Sequence, residues 1–120
     1  MLNHEEKMFE GAFLSTSSGF VEEAVSHAIA VPMNSVVIDA TVANFSSTSA
    51  QLFLTAEGSY DGSVWKTVTS LDVNIRNVPF GHDSSGVVDV DVAYIRLRAA
   101  VTGTNEDALF DASLVFSHQE

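Results

Sequence analysis

His82-Asp83-Ser84 brings the three side-chain types of a hydrolytic triad together in consecutive positions. Catalysis by such a set needs the groups to converge in space beside a separate oxyanion hole, and neighbours in one loop do not do that. The tripeptide therefore reads as a surface turn, and no enzymatic activity is expected. The histidines His4, His27, His82 and His118 stand in no metal-ligand spacing, so neither a zinc or iron site nor any cofactor is expected. Oxygen donors for calcium are present as Asp61, Asp83, Asp89, Asp91, Asn105, Glu106 and Asp107. Calcium takes six to eight oxygens from a defined loop. Asn105-Glu106-Asp107 could join such a loop, with a solvated turn as the plainer reading. Asp89 and Asp91 fall on one strand face about 7 Å apart. They are expected to face Arg96 or Arg98 on the next strand as cross-strand ion pairs. Tyr60, at a hairpin tip, and Phe80, beside Pro79, are the aromatics best placed for sugar stacking or for contact with another subunit.

The elements that must carry these residues read as strands. After residue 34 the apolar pattern has a period of two: Val36-Ile38-Ala40-Val42, Leu52-Leu54-Ala56, Leu71-Val73-Ile75, Val88-Val90-Val92, Ile95-Leu97-Ala99-Val101 and Phe110-Ala112-Leu114-Phe116. Successive strand side chains point to opposite faces, so each run buries one face and wets the other. Turn residues separate the runs at 44–49, 57–63, 77–81, 83–86 and 102–105. Short strands at this spacing, with no long helical pattern between them, predict an all-β antiparallel two-sheet sandwich of jelly-roll type with about eight strands. The expected core is Val36, Ile38, Leu52, Leu54, Trp65, Val73, Ile75, Val88, Val90, Ile95, Leu97, Leu114 and Phe116. Residues 20 to 30 have partly helical spacing, but a strand or short turn is favoured, because a lone helix would need its own docking groove.

Residues 1–19 show little periodicity beyond Phe9, Phe13 and Leu14. They read as an N-terminal arm, with the sandwich spanning 20–120 and folding without it. Burying each of these three side chains on a neighbour contributes roughly 1.5–3 kcal/mol. Phe9, Phe13, Leu14, Tyr60 and Phe80 are thus the expected assembly contacts, in a homo-oligomer such as a trimer or on a larger protein surface.

Composition narrows the partners. The chain has 120 residues, 5 Lys plus Arg, 16 Asp plus Glu and a formal net charge of −11. Such charge repels a phosphate backbone or an anionic membrane, so neither nucleic acid nor membrane is an expected partner. Hydrophobic residues make up 46% of the chain, enough for a packed core, and the absence of Cys excludes disulfides and thiolate chemistry. The start of the chain lacks the basic and apolar regions of a signal peptide. Asn44-Phe45-Ser46 matches a glycosylation sequon, which without a secretion signal reads as fortuitous.

Two segments carry a family resemblance: Gly58-Ser59-Tyr60-Asp61-Gly62-Ser63-Val64-Trp65-Lys66-Thr67-Val68 and Val92-Ala93-Tyr94-Ile95-Arg96-Leu97-Arg98. A strand ending in Ser-x-Asp-Gly-x-x-Trp and a later Tyr-Ile-Arg-Leu strand resemble the discoidin-like jelly rolls and the small β-sandwich proteins of tailed-phage virions, of decoration and fibre type. The resemblance covers about residues 35 to 117. It implies that Asp61-Gly62 makes a hairpin turn, that Trp65 starts the return strand and packs inward, and that the arginines of the Tyr94 strand pair across the surface. Discoidin-type binding modules have an aromatic-rich first half, whereas here no Trp or Tyr precedes Tyr60. That favours the virion type. The expected function is then structural: a non-enzymatic accessory or decoration protein on a capsid surface, bound to shell subunits and to itself. The alternative is a carbohydrate-binding, lectin-like module. Outside a virion, a cytoplasmic location is expected.

Overall fold

The computed structural model describes residues 3–16, 21–103 and 106–118. Ten strand segments follow one another: β1 (Asn3–Ser15), β2 (Val21–Val25), β3 (Ile29–Ala30), β4 (Ser35–Phe45), β5 (Gln51–Ser59), β6 (Lys66–Arg76), β7 (Gly81–Ser84), β8 (Val88–Asp89), β9 (Tyr94–Thr102) and β10 (Asp107–Ser117). They form two antiparallel five-stranded sheets. Sheet A runs β1-β10-β4-β7, with β8 also on β4, and sheet B runs β2-β9-β5-β6, with β3 also on β9.

The order is that of one long hairpin rolled up. Its tip is the β5–β6 turn, and its paired arms are β4 with β7 and β8, β2 and β3 with β9, and β1 with β10. Rolling then brings β10 against β4 and β9 against β5, which closes each sheet. This is the jelly-roll arrangement. Because β2 and β3 share one partner and β7 and β8 share another, ten segments fill eight strand positions.

Between the sheets lie the inward faces of the alternating runs. Val36 and Ile38 on β4, Leu52 and Leu54 on β5, Ile95 and Leu97 on β9 and Phe110, Leu114 and Phe116 on β10 are fully buried. Leu71, Val73 and Ile75 add the face of β6. Each such large side chain contributes about 1.5–3 kcal/mol through removal from water. Val88 and Val90 pack against this core only partly buried. Their run is a strand over Val88–Asp89 alone, in sheet A rather than beside β9. Residues 81–84, inside a region of turn signals, form β7 on β4. Val21–Val25 is a strand, as favoured.

Two expectations are corrected. The N-terminal segment is not an arm: β1 is an integral edge strand paired with β10 from Asn3↔Ser117 to Ser15↔Asp107. Met8 and Leu14 are buried in the chain's own core, and the Phe9 ring meets Phe110 at 5.4 Å between centroids. Leu14 is therefore not available to another chain, and Phe9 is mostly spent internally. The strand pattern was obscured for two reasons. His4 and Glu6 stand on the inner face opposite Phe116 and Leu114, and the register slips between Lys7 and Phe9 and again between Phe9 and Ala12. Gly11 serves the second irregularity with φ 55°, and its N–H donates to Asp111 Oδ1 at 2.7 Å. Inward charges and bulges on an edge strand also discourage sheet-to-sheet aggregation.

Trp65 is the second correction. It is only half-buried and lies outside the core, beneath the guanidinium of Arg96 on the outer face of sheet B.

Candidate functional site

Two surfaces at opposite ends of the sandwich gather residues that no fold requirement explains. The first crosses the outer face of sheet A at the end where β4 finishes and β10 begins. Phe13 on β1 is registered opposite Leu109 on β10, and Leu109 opposite Asn44 on β4. Phe80 immediately precedes β7, whose Gly81 pairs with Val42. Phe13 is 62% exposed, Leu109 39% and Phe80 67%. Phe13 and Leu109 stand side by side, the polar Asn44 holds the next position on β4, and Phe80 flanks the far edge, so the row is apolar at its two sides and crosses about 14 Å at the usual strand spacing. Of the expected assembly residues, Phe13 and Phe80 fall on this row. Leu109 was missed, because it sits at an outward position between the buried Ala108 and Phe110.

A clamp behind the row holds its strands in place. Glu106 Oε2 accepts from the hydroxyls of Ser47 at 2.6 Å and Ser46 at 3.3 Å. The Glu106 N–H donates to Thr16 Oγ1, and the Thr16 N–H to the Glu106 carbonyl, both at 2.8 Å. The Asp107 N–H donates to Ser46 Oγ at 2.7 Å. The ends of β1 and β10 are thereby tied to the β4–β5 loop. Glu106 is a structural staple here. Asn105, its neighbour in the calcium reading, lies outside the described residues. Among the described residues no three His, Asp or Glu side chains gather as a metal site.

The second surface is a cleft of about 530 Å³ at the other end. One wall is the β5–β6 hairpin tip and the other is the segment 89–92 that leads from β8 toward β9. The edge strands of the two sheets, β6 and β8, part here. The tip is rigid. Ser59 Oγ accepts from the Gly62 N–H at 2.8 Å, and Asp61 Oδ1 accepts from the N–H groups of Ser63 at 2.8 Å and Val64 at 3.0 Å. Gly62 takes φ 81°, as an Asp-Gly turn requires. The Val64 and Ser63 N–H donors, then the Ser59 hydroxyl, hold the Asp61 carboxyl below its ordinary value, so it is ionised at neutral pH. The other wall is anchored by the Val90 N–H on the Asn34 carbonyl at 2.9 Å, the Ala93 N–H on the Ser59 carbonyl at 3.1 Å and the Ser35 hydroxyl on Asp89 Oδ1 at 3.0 Å. Tyr60, at the tip, is 74% exposed and lines the cleft.

Asp89 and Asp91 thus face the cleft and not the arginines. Arg96 Nε donates to Glu57 Oε1 at 2.9 Å, and Arg98 pairs with Glu57 and Glu23. The acids and arginines are close in sequence, but Asp89 belongs to sheet A, Asp91 to the segment that follows it, and both arginines to sheet B. His82 and Ser84, two apart on β7, both bond Asp39 Oδ1 on β4, with the Ser84 hydroxyl donating at 2.6 Å. Its hydrogen is directed to the carboxylate and not to the imidazole, which is not the relay a serine nucleophile uses.

No protein-family model and no curated protein matches the sequence. Solved structures do match in shape. The carbohydrate-binding module TmCBM61, in complex with β-1,4-galactotriose, superposes over 87% of this chain and 68% of its own at TM-score 0.60 and 12% identity. A chain in the structure of infectious bursal disease virus, Gx strain, superposes over 95% of this chain and 31% of its own at TM-score 0.62 and 11% identity. A third is the isomalto-dextranase of Arthrobacter globiformis T6 complexed with panose, over 93% of this chain and 23% of its own, at TM-score 0.53 and 15% identity. This chain is a jelly-roll-like β-sandwich. It spans about a third or less of the length of the viral and isomalto-dextranase chains, and at these identities the likeness is one of fold.

Proposed function

We propose that the protein is a non-enzymatic structural subunit, an accessory or decoration protein of a virion, that docks through the outer face of sheet A. The observation that carries this reading is the exposed row Phe13, Leu109 and Phe80. Covering what remains exposed of each phenylalanine contributes about 1–2 kcal/mol, and of Leu109 about 1 kcal/mol, and apolar aromatics are enriched at protein interfaces. The partners proposed are second copies of the chain, a trimer being the virion-like arrangement, and the shell subunits beneath. The net charge of −11 keeps nucleic acid and anionic membranes out of the partner set. No helix among the described residues is long and apolar enough to cross a membrane. The virion surface is the proposed location, in keeping with the fold likeness to a chain of a virus structure and with the tailed-phage resemblance of the hairpin and β9 sequences. Electron microscopy of the particle that co-purifies with the native protein tests it. Sheet A turned to its neighbours supports the reading, and sheet A turned to solvent overturns it.

A second reading, a carbohydrate-binding module, is favoured by one observation: the open cleft beside Tyr60, on a fold shared with a module solved with a galactotriose.

A further inference from the structure

We propose that the cleft between the β5–β6 hairpin tip and residues 89–92 binds a neutral oligosaccharide, with Tyr60 and the valine floor against a sugar face and Asp89 and Asp91 accepting its hydroxyls. This rests on the carbohydrate-binding reading and gives it a place and a ligand class. The volume of about 530 Å³ is that of a small-molecule site. Its lining is of two kinds. Val64, Val68, Val90 and Val92 supply an apolar surface, and Asp61, Asp89 and Asp91 supply acceptors, with Lys66 as the cation. Sugars match that division, because a pyranose ring presents a C–H face to apolar side chains and hydroxyl donors at its rim. Three carboxylates against one ammonium exclude sialylated, sulfated or uronic sugars by like-charge repulsion.

Space in the cleft is maintained by Gly58. A Cβ there would stand 3.0 Å from Val92 Cγ2 and 3.3 Å from Val68 Cγ2, pushing the two valines. The walls are braced in place, the tip by N–H groups bonded to the Asp61 carboxylate and the opposite segment by backbone hydrogen bonds, which lowers the ordering that binding must impose. The cleft also lies at the opposite end of the strands from the Phe13–Leu109–Phe80 row.

The test is amide NMR of the full chain titrated with neutral oligosaccharides (lactose, cellotriose, maltotriose) and with sialyllactose as the anionic control. Expected are shifts confined to residues 58–68 and 89–92 with a neutral sugar, none with sialyllactose, and binding weakened about tenfold by Tyr60→Ala. Tyr60 is exposed, so that variant keeps the fold, and an unchanged spectrum elsewhere verifies it. Asp89→Asn with Asp91→Asn is expected to admit the anionic sugar. Shifts that map elsewhere, such as the Trp65–Arg96 face, overturn the cleft but leave the carbohydrate reading standing. No response to any neutral sugar overturns both. Equal response to sialyllactose overturns the ligand class.

Discussion

The guanidinium carbon of Arg96 lies 4.1 Å from the centroid of the Trp65 ring. Arg96 is held there by Glu57, whose carboxylate also receives Arg98. The lone Trp is therefore part of a polar ladder on the outer face of sheet B. A cation over a partly exposed ring contributes on the order of 0.5–1 kcal/mol. Trp65→Ala is expected to cost about 1–2 kcal/mol in urea unfolding, well short of the roughly 3–5 kcal/mol of an aromatic removed from a core. A loss in the core range would put Trp65 back between the sheets.

Phe110 and Leu97 are the contrasting case. Both are fully buried, and Phe110 also meets Phe9. Phe110→Ala is expected to cost about 3–5 kcal/mol and Leu97→Ala about 2–5 kcal/mol. Melting curves within a degree or two of the wild type would contradict this core.

Removing residues 1–15 is expected to abolish the cooperative fold. The deletion strips β10 of its edge partner and takes Met8 and Leu14 out of the core. Circular dichroism of the truncated chain is the check. A retained β spectrum with a sharp melt would restore the N-terminal arm.

Gly103→Ala probes the Glu106 clamp. The glycine has φ 132°, and a Cβ there would lie 2.4 Å from Glu106 Cγ. Either the backbone leaves the left-handed region or Glu106 leaves Ser46 and Ser47. A cost of about 1–3 kcal/mol is expected by denaturant titration. A neutral or stabilising effect would show that the clamp yields freely.

Acid should loosen the hairpin tip. The depressed folded value of Asp61 means its ionised form stabilises the tip above the ordinary carboxylate value of 3.8, and that this stabilisation fades as pH falls through the lower folded value. The Ser63 and Val64 amides, which donate to Asp61, are expected to shift with a midpoint below 3.8. A midpoint at or above that value would refute the Asp61 network.

The long central strands were legible because β4, β5, β9 and β10 alternate cleanly over a core with one buried face each. β1 was not, since His4 and Glu6 occupy inner positions and two register slips break its period. Trp65 was assigned inward on residue type, but it precedes β6 and its side chain follows the outer face. In the sequence Phe13 stands out only as one of three apolar residues in a segment read as an arm, a reading that also takes in the buried Leu14, and Phe80 as an aromatic beside Pro79. Their alignment with Leu109 depends on sheet order, which no local pattern encodes. The cleft was hidden for the same reason: its walls lie some thirty residues apart and meet only where β6 and β8 part.

Docking through the outer face of sheet A is tested most directly by sedimentation velocity of the full chain at tens of micromolar, beside a Phe13→Ser, Phe80→Ser double variant. Both side chains are exposed, so the variant is expected to keep the wild-type circular dichroism. The wild type is expected to sediment as a small homo-oligomer and the variant as a monomer. A monomeric wild type, or a variant with an unchanged oligomer, would contradict self-association through the Phe13–Leu109–Phe80 row.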